Sequence, residues 1–209
     1  MISHDYRCVF VHQRKCASTS IIAAFGVEPR TKAWGVGANG LFKPEYAPIA
    51  DLIEAYFKFA VVRNPWDRFV SGWKYCKSTR KRSLLDVLTN PPTDRHDYRH
   101  LMVTQHKTLI RADGSSAVDF LMRYERLQED FDEVCRRIGK PRVELPRLNT
   151  THRPSYQDVF DDESRAIFDL LFAEDIRRYG YDYDDPAGDG LAPCLIASRA
   201  SPSWAGETA

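Results

Sequence analysis

The chain has 209 residues, 30 of them Lys or Arg against 29 Asp or Glu, for a formal net charge of +1. That balance argues against a nucleic-acid coat, which calls for a basic excess, and against an acidic solvating chain. With 43% hydrophobic and 12% aromatic residues there is apolar surface enough for a folded core, and no stretch approaches the ~20 apolar residues of a membrane helix.

Residues 7–12, centred on Val9-Phe10-Val11, read as a short buried strand. The small, polar run Lys15-Cys16-Ala17-Ser18-Thr19-Ser20 follows, and Ile21, Ile22 and Phe25 begin a helical pattern stopped by Gly26 and Pro29. Residues 30–47 carry Gly35, Gly37 and Gly40 and read as an irregular loop, with a short helix expected over 48–55. Residues 57–62 form a second strand. Asn64 and Pro65 then make a helix start, and Trp66, Phe69, Val70 and Trp73 give an amphipathic stripe.

Residues 83–111 are polar and rich in His and Pro; a helix is expected around 97–106. Residues 118–124 form a third strand, and Leu127, Phe131, Val134, Cys135 and Ile138 line a helix face closed by Gly139. Residues 140–157 read as a loop. Phe168, Leu171, Phe172, Ile176 and Tyr179 mark a last helix ended by Gly180. From Pro186 the composition shifts to Ala, Gly, Ser and Pro, so the reading is one domain over 1–185 and a disordered tail over 186–209. Strands alternating with helices indicate an α/β domain with a mostly parallel sheet, whose ligands bind beyond the carboxyl ends of the strands.

Five cysteines, Cys8, Cys16, Cys76, Cys135 and Cys194, are odd in number and lack Cys-x-x-Cys spacing, so reduced thiols are expected rather than disulfides or zinc. The chain as given reads as cytoplasmic, and a membrane anchor on a longer parent is compatible with it.

Two segments carry chemistry. The Lys15–Ser20 loop leaves a strand and opens a helix, which aims backbone N–H groups and a helix dipole at an anion. Small residues allow close approach, and Lys15, Ser18, Thr19 and Ser20 add donors. The Lys precedes the hydroxyls and no glycine is present, unlike the loop of nucleoside triphosphatases, so a P-loop kinase is disfavoured. The plainer alternative is a capped helix with an exposed lysine. In the second segment Arg63 and Ser71 converge, since positions 64 and 71 share a helix face. A guanidinium fork and a hydroxyl suit a second phosphate. The plainer alternative is Arg63 pairing with a nearby carboxylate.

At these segments the chain resembles the PAPS-dependent sulfotransferases (PAPS is 3′-phosphoadenosine 5′-phosphosulfate). Their first motif, Pro-Lys-x-x-x-Thr-Ser, is similar to Arg14-Lys15-Cys16-Ala17-Ser18-Thr19-Ser20, with Arg14 replacing the proline. The Ala-Ser-Thr-Ser run is similar to that of the heparan sulfate 2-O-sulfotransferases. The second motif, Arg-Asn-Pro-x-x-Arg-x-x-x-Ser in one spelling, keeps the spacing of Arg63 and Ser71. Arg123-Tyr124-Glu125 and Leu145-Pro146-Arg147-Leu148-Asn149-Thr150-Thr151-His152-Arg153 resemble the carbohydrate (heparan- and chondroitin-type) branch. The likeness runs from about residue 7 to 181. It implies a P-loop NTPase-like fold with a short, mostly parallel sheet flanked by helices. It also implies that Lys15, Cys16, Ala17, Ser18, Thr19 and Ser20 hold the 5′-phosphosulfate. Arg63 and Ser71 would hold the 3′-phosphate, with Thr150, Thr151 and Arg153 closing over the adenosine. PAP is then the product.

Sulfuryl transfer would place Lys15 against the leaving oxygen, and no metal is expected because no ligand cluster is visible. The base on the acceptor hydroxyl is open: no histidine lies between His12 and His96, leaving Glu45, His100, His12 and His106 as candidates. The partner expected is a hydroxyl-bearing acceptor, a glycan first, with no nucleic acid. The same chemistry on a small molecule or lipid, or PAPS and PAP binding without turnover, are the alternatives. Lys74, Lys77, Arg80, Lys81 and Arg82 read as a solvated helix end or as a contact for an anionic acceptor. Tyr75 is a candidate to stack on a sugar, and Trp73 fits the core. Residues 63–82 carry seven basic and one acidic residue, and residues 158–185 carry ten acidic and three basic, so near-neutrality is a cancellation between segments.

Overall fold

The computed structural model describes residues 1–27, 44–111, 113–148, 153–186 and 188. Its centre is a sheet in the order β1-β2-β3-β4. β2 (Cys8–Val11), β3 (Phe57–Val62) and β4 (Phe120–Arg123) are parallel neighbours. β1 (Ile2–Ser3) pairs antiparallel with β2. The three parallel strands lie within the segments expected from sequence. β1, two residues long, is too short to show a period.

Side chains alternate across a strand, and the core divides accordingly. Val9, Val11, Ala60, Val62 and Leu121 face one cluster with Trp66, Phe69, Phe168 and Phe172. Cys8, Phe10, Phe59, Val61, Phe120 and Met122 face another with Ile21, Ile22, Phe131 and Val134. Strands buried on both faces read as continuous apolar runs, which is why residues 57–62 lack alternation. The first face is covered by α3 (Pro65–Tyr75), α8 (Asp162–Leu171) and α9 (Ala173–Tyr179), the second by α1 (Ser18–Ala24) and α7 (Leu127–Ile138). The domain is thus mixed α/β, with helices on both sides of a mostly parallel sheet. Among the described residues no helix is long and apolar enough to cross a membrane.

Local signals explain the boundaries. Asn64 caps α3 by accepting from Asp67 N at 3.2 Å, with Pro65 in the first turn. Gly139 and Gly180 end α7 and α9 in the left-handed region, at φ 68° each. The short helix expected over 48–55 is a 3-10 turn, Pro44–Ile49, leading into α2 (Ala50–Glu54).

Two expectations are corrected. The last helix is broken at Phe172, whose ring stacks on Phe168 with centroids 4.2 Å apart. The single helix expected near 97–106 is replaced by α5 (Arg95–Leu101) and α6 (His106–Leu109), after an unanticipated α4 (Leu84–Thr89) capped by Ser83. Buried charges from elsewhere take the backbone groups between α5 and α6. Arg68 Nη2 donates to the carbonyls of Leu101 and Val103, and Asp175 accepts from Gln105 N and His106 N. The irregular loop of 30–47 mostly falls in 28–43, and the expected tail in 187 and 189–209, outside the described residues.

Candidate active site

All three parallel strands end on one side, and each hands its chain to a loop facing a common cleft. After β2, Lys15 (φ 65°) and Ala17 (φ 53°) adopt left-handed backbone with Cys16 between them. Left-handed residues in a loop that opens a helix are the kind of backbone that anion-binding loops use to turn N–H groups toward a ligand. Each such non-glycine residue costs roughly 1–2 kcal/mol, so the surrounding contacts must hold the shape. They are visible. Ser18 Oγ donates to Gln13 O at 2.9 Å, and Thr108 Oγ1 donates to Gln13 Oε1 at 2.6 Å. The fully buried Cys16 thiol faces Arg14 O and Gln105 Oε1, and burial pushes its pKa up to about 12, so it stays neutral.

After β3, Arg63 is 4% exposed and densely held. Nε and Nη2 meet Asp67 Oδ2 at 2.7 and 2.5 Å, Nη1 donates to Lys15 O at 2.7 Å, and the guanidinium lies 3.9 Å over the Tyr124 ring. Gln105 pins the Arg63 backbone from both ends, with N to Oε1 and Nε2 to O each at 2.9 Å. Burial disfavours the arginine charge, but Asp67, with Tyr124 and Cys16, together more than offset this and raise its pKa. After β4, Glu125 accepts from Asn64 N at 2.7 Å and from the Tyr181 hydroxyl at 3.0 Å. The three strand ends are therefore tied to one another by side chains.

The cleft has a volume of about 1300 Å³. Its lining includes the whole Lys15–Ser20 loop, Arg63 and Ser71, together with His12 and His100. Lys15 Nζ sits 3.9 Å over the ring of Tyr75, which is 54% exposed at the end of α3. Burial, and then the nearby Arg63, lower the Lys15 pKa to about 8. His100 Nδ1 lies 2.8 Å from His96 O. A carbonyl only accepts, so Nδ1 carries the proton and the neutral ring keeps its lone pair on Nε2. Burial, with the charges of Arg14, His96 and Lys15, lowers its pKa to about 4. Burial and Arg14 lower His12 further, to about 3. Both rings are neutral at pH 7. Gly72 allows this arrangement: a Cβ there would stand 2.9 Å from His100 O, so only glycine lets α5 lie this close to α3.

The structure thus brings Lys15, Cys16, Ala17, Ser18, Thr19, Ser20, Arg63, Ser71, His12 and His100 to one cleft. Arg153 is not part of the cleft lining; an ion pair from its Nη1 to Asp67 Oδ1 at 2.6 Å holds it beside Arg63. His106 does not join them; its ring and backbone N are held by the buried Asp175 at 2.8 Å. Glu45 falls in the 3-10 turn, with its side chain outside what is described, and Thr150 and Thr151 lie outside the described residues. Trp73 is buried as expected, whereas Arg82 turns to Asp86 and the end of α4. Asp94, His96 and Asp97 bring three ligand-type atoms within 4.8 Å, yet Asp94 caps α5 and Asp97 accepts from Ser78. Gln105, Asp67 and Asp175 were not read as site residues. Asp67 alone had a signal, as a carboxylate four residues after Arg63, in the first turn of the helix that follows it.

A family model described as the sulfotransferase family matches residues 1–182. An uncharacterized protein of Archaeoglobus fulgidus is 31% identical over 108 residues, which cover 52% of this chain and 88% of the relative. No solved structure matches. The fold of the matched family is P-loop-like, its members transfer sulfuryl groups and generally take PAPS as donor, and the acceptor is a hydroxyl. With the match extending over most of its length, the chain belongs to the sulfotransferase family.

Proposed function

We propose that this chain moves a sulfuryl group from PAPS to a hydroxyl of a carbohydrate. The observation that carries the reading is the pair of cationic loops, one with Lys15 and one with Arg63, at neighbouring strand ends in one cleft. A nucleotide phosphorylated at both 3′ and 5′ needs two such sites. The residues fit it: the Lys15–Ser20 loop suits the 5′ group, and Arg63 and Ser71, with Arg153 held beside Arg63 by Asp67, suit the 3′-phosphate. The volume exceeds the ~300–1,000 Å³ of ordinary ligand sites, leaving room for a second substrate. Thr150 and Thr151 are assigned to the adenosine on the resemblance alone.

PAPS supplies, when bound, a sulfuryl group on a phosphate leaving group. Lys15 and the N–H groups of residues 16–20 stabilise the negative charge that grows on the leaving oxygen, a contribution worth several kcal/mol. His100 Nε2 accepts the proton of the acceptor hydroxyl. It is preferred to His12 because its pKa, about 4, is less depressed than the value of about 3 at His12, and to His106 because that ring is held by Asp175. The carbohydrate acceptor rests on the likeness of the Arg123–Glu125 and Leu145–Arg153 segments to that branch, and on Tyr75, an exposed ring beside Lys15 and His100.

Transfer of label from sulfur-labelled PAPS to glycans, small alcohols and phenols tests the reading, with PAP binding measured alongside. Labelled glycan is the expected result. Label only on small alcohols or phenols changes the acceptor class, PAP binding without transfer leaves a nucleotide-binding protein, and neither binding nor transfer overturns the proposal.

A further inference from the structure

We propose that Asp67 is a positioning residue for the nucleotide: its carboxylate delivers Arg153 to the 3′-phosphate side of the cleft and sets it beside Arg63. This rests on the donor assignment above. Asp67 stands in the first turn of α3, on the segment that also supplies Arg63 and Ser71. Its two oxygens are divided. Oδ2 takes Nε and Nη2 of Arg63, at 2.7 and 2.5 Å, and Oδ1 takes Nη1 of Arg153 at 2.6 Å.

The pairing differs from an ordinary surface ion pair. The side chains of Arg63, Arg153 and Asp67 are 4%, 16% and 21% exposed. Exposed pairs contribute little, but a carboxylate flanked by two guanidiniums in a shielded site is screened far less. Its pKa is accordingly lowered: burial acts against the charge, and Arg63 and Arg153 overcome it. It therefore stays ionised throughout the neutral range.

The geometry assigns a task to each bond. Two guanidiniums converging on one phosphate repel each other before the phosphate arrives. Asp67 cancels one of the two charges, so both can wait at the site. Arg63 has Nε, Nη1 and Nη2 each committed once, which leaves two of its five N–H donors, and Arg153 commits one. The N–H groups left over on the two residues outnumber the three terminal oxygens of a phosphate. Arg153 lies after the segment 149–152 and far along the chain from Arg63. Among the described residues its ion pair is with Asp67, so removing that carboxylate removes what holds it beside Arg63, which lines the cleft.

The test is PAP binding by calorimetry and PAPS kinetics on the full chain for Asp67→Ala, Asp67→Asn, Arg153→Ala and Asp67→Ala combined with Arg153→Ala. The expected loss of PAP affinity is about tenfold to a hundredfold for each single variant, as for a shielded charged hydrogen bond. KM for PAPS should rise in step while kcat stays within about twofold, because the contact acts in ground and transition states alike. The double variant should be no weaker than the worse single one, since both break the same link. Asp67→Asn keeps the shape and guards against a folding failure. Tighter or unchanged PAP binding in the Asp67 variants, or losses that multiply in the double variant, overturn the proposal while leaving the donor assignment intact. Absence of PAP binding by the unaltered chain overturns both.

Discussion

The two strand-end loops both supply positive charge, by opposite means. At the first, the charge belongs to Lys15, which rests on the Tyr75 ring and pairs with no carboxylate among the described residues. Burial and the neighbouring Arg63 bring its pKa down to about 8, so the charge is held loosely. At the second, Arg63 is locked by Asp67, the Lys15 carbonyl and the Tyr124 ring, and its pKa is raised. The difference matches the two tasks proposed. A group that meets charge growing in the transition state gains from being underpaired beforehand, because its interaction strengthens as the reaction proceeds. A group that only grips a phosphate gains from being fixed in place.

The largest expected effect therefore falls on the first loop. Lys15→Ala should lower kcat about 10²–10³-fold, with a smaller loss of PAP affinity. The proton on Lys15 is required, and its pKa is lowered, so kcat/KM for PAPS should be flat through pH 7 and fall as pH rises past about 8. Lys15→Arg should move that alkaline limb upward, because a guanidinium keeps its proton. A limb that stays put in the arginine variant assigns it to another group. Equal losses of kcat in Lys15→Ala and Arg63→Ala would dissolve the contrast between the loops.

Next in size is the base. His100→Ala should cost about 10² in kcat, the low end for general bases, because a ring with a pKa near 4 is a weak one. PAP affinity should not change. Gly72→Ala gives the same signature without touching the ring: its Cβ would meet His100 O at 2.9 Å and push α5 away from α3. A Gly72→Ala enzyme with unaltered turnover would show that the position of His100 does not matter.

Gln105→Ala probes the rigidity of the second loop. It strips partners from the buried N–H and carbonyl of Arg63, and should cost roughly 2–4 kcal/mol in denaturant unfolding. Lys15→Ala, at a half-buried side chain without an ion pair among the described residues, should cost much less stability. The expected pattern is a first loop that is catalytically critical and structurally cheap, and a second that is the reverse.

The division also explains what could be read from sequence. The strands at 8–11, 57–62 and 120–123 announce themselves as apolar runs, and the caps at Asn64, Gly139 and Gly180 use local chemistry. Lys15–Ser20, Arg63 and Ser71 stand within single segments, so their spacing was legible. The stretch 83–111 was not, because its helices stop where Arg68 and Asp175 take their backbone groups, and Asp175 lies 70 residues from Gln105. Gln105 bonds the backbone of Arg63 from 42 residues away, and nothing near it hints at that role. Arg63 realises the plainer reading as well as leaving donors for a ligand, since its carboxylate partner stands four residues on.

Ala17→Gly carries the smallest expected effect and tests how far the first loop depends on backbone strain. Ala17 holds φ 53° without the freedom of glycine, at a cost of roughly 1–2 kcal/mol in the folded state. Glycine relieves that strain but gains about 0.4–1 kcal/mol of flexibility in the unfolded chain. The net change in stability should therefore lie between nothing and a gain of about 1.6 kcal/mol. If the loop is preorganised by its side-chain bonds, through Ser18 to Gln13 and Arg63 to Lys15, PAP affinity should stay within about twofold of the parent. A tenfold loss would mean that the alanine, by excluding other conformations, shapes the anion site itself. The first loop would then be held as tightly as the second, and looseness there would belong to the Lys15 side chain alone.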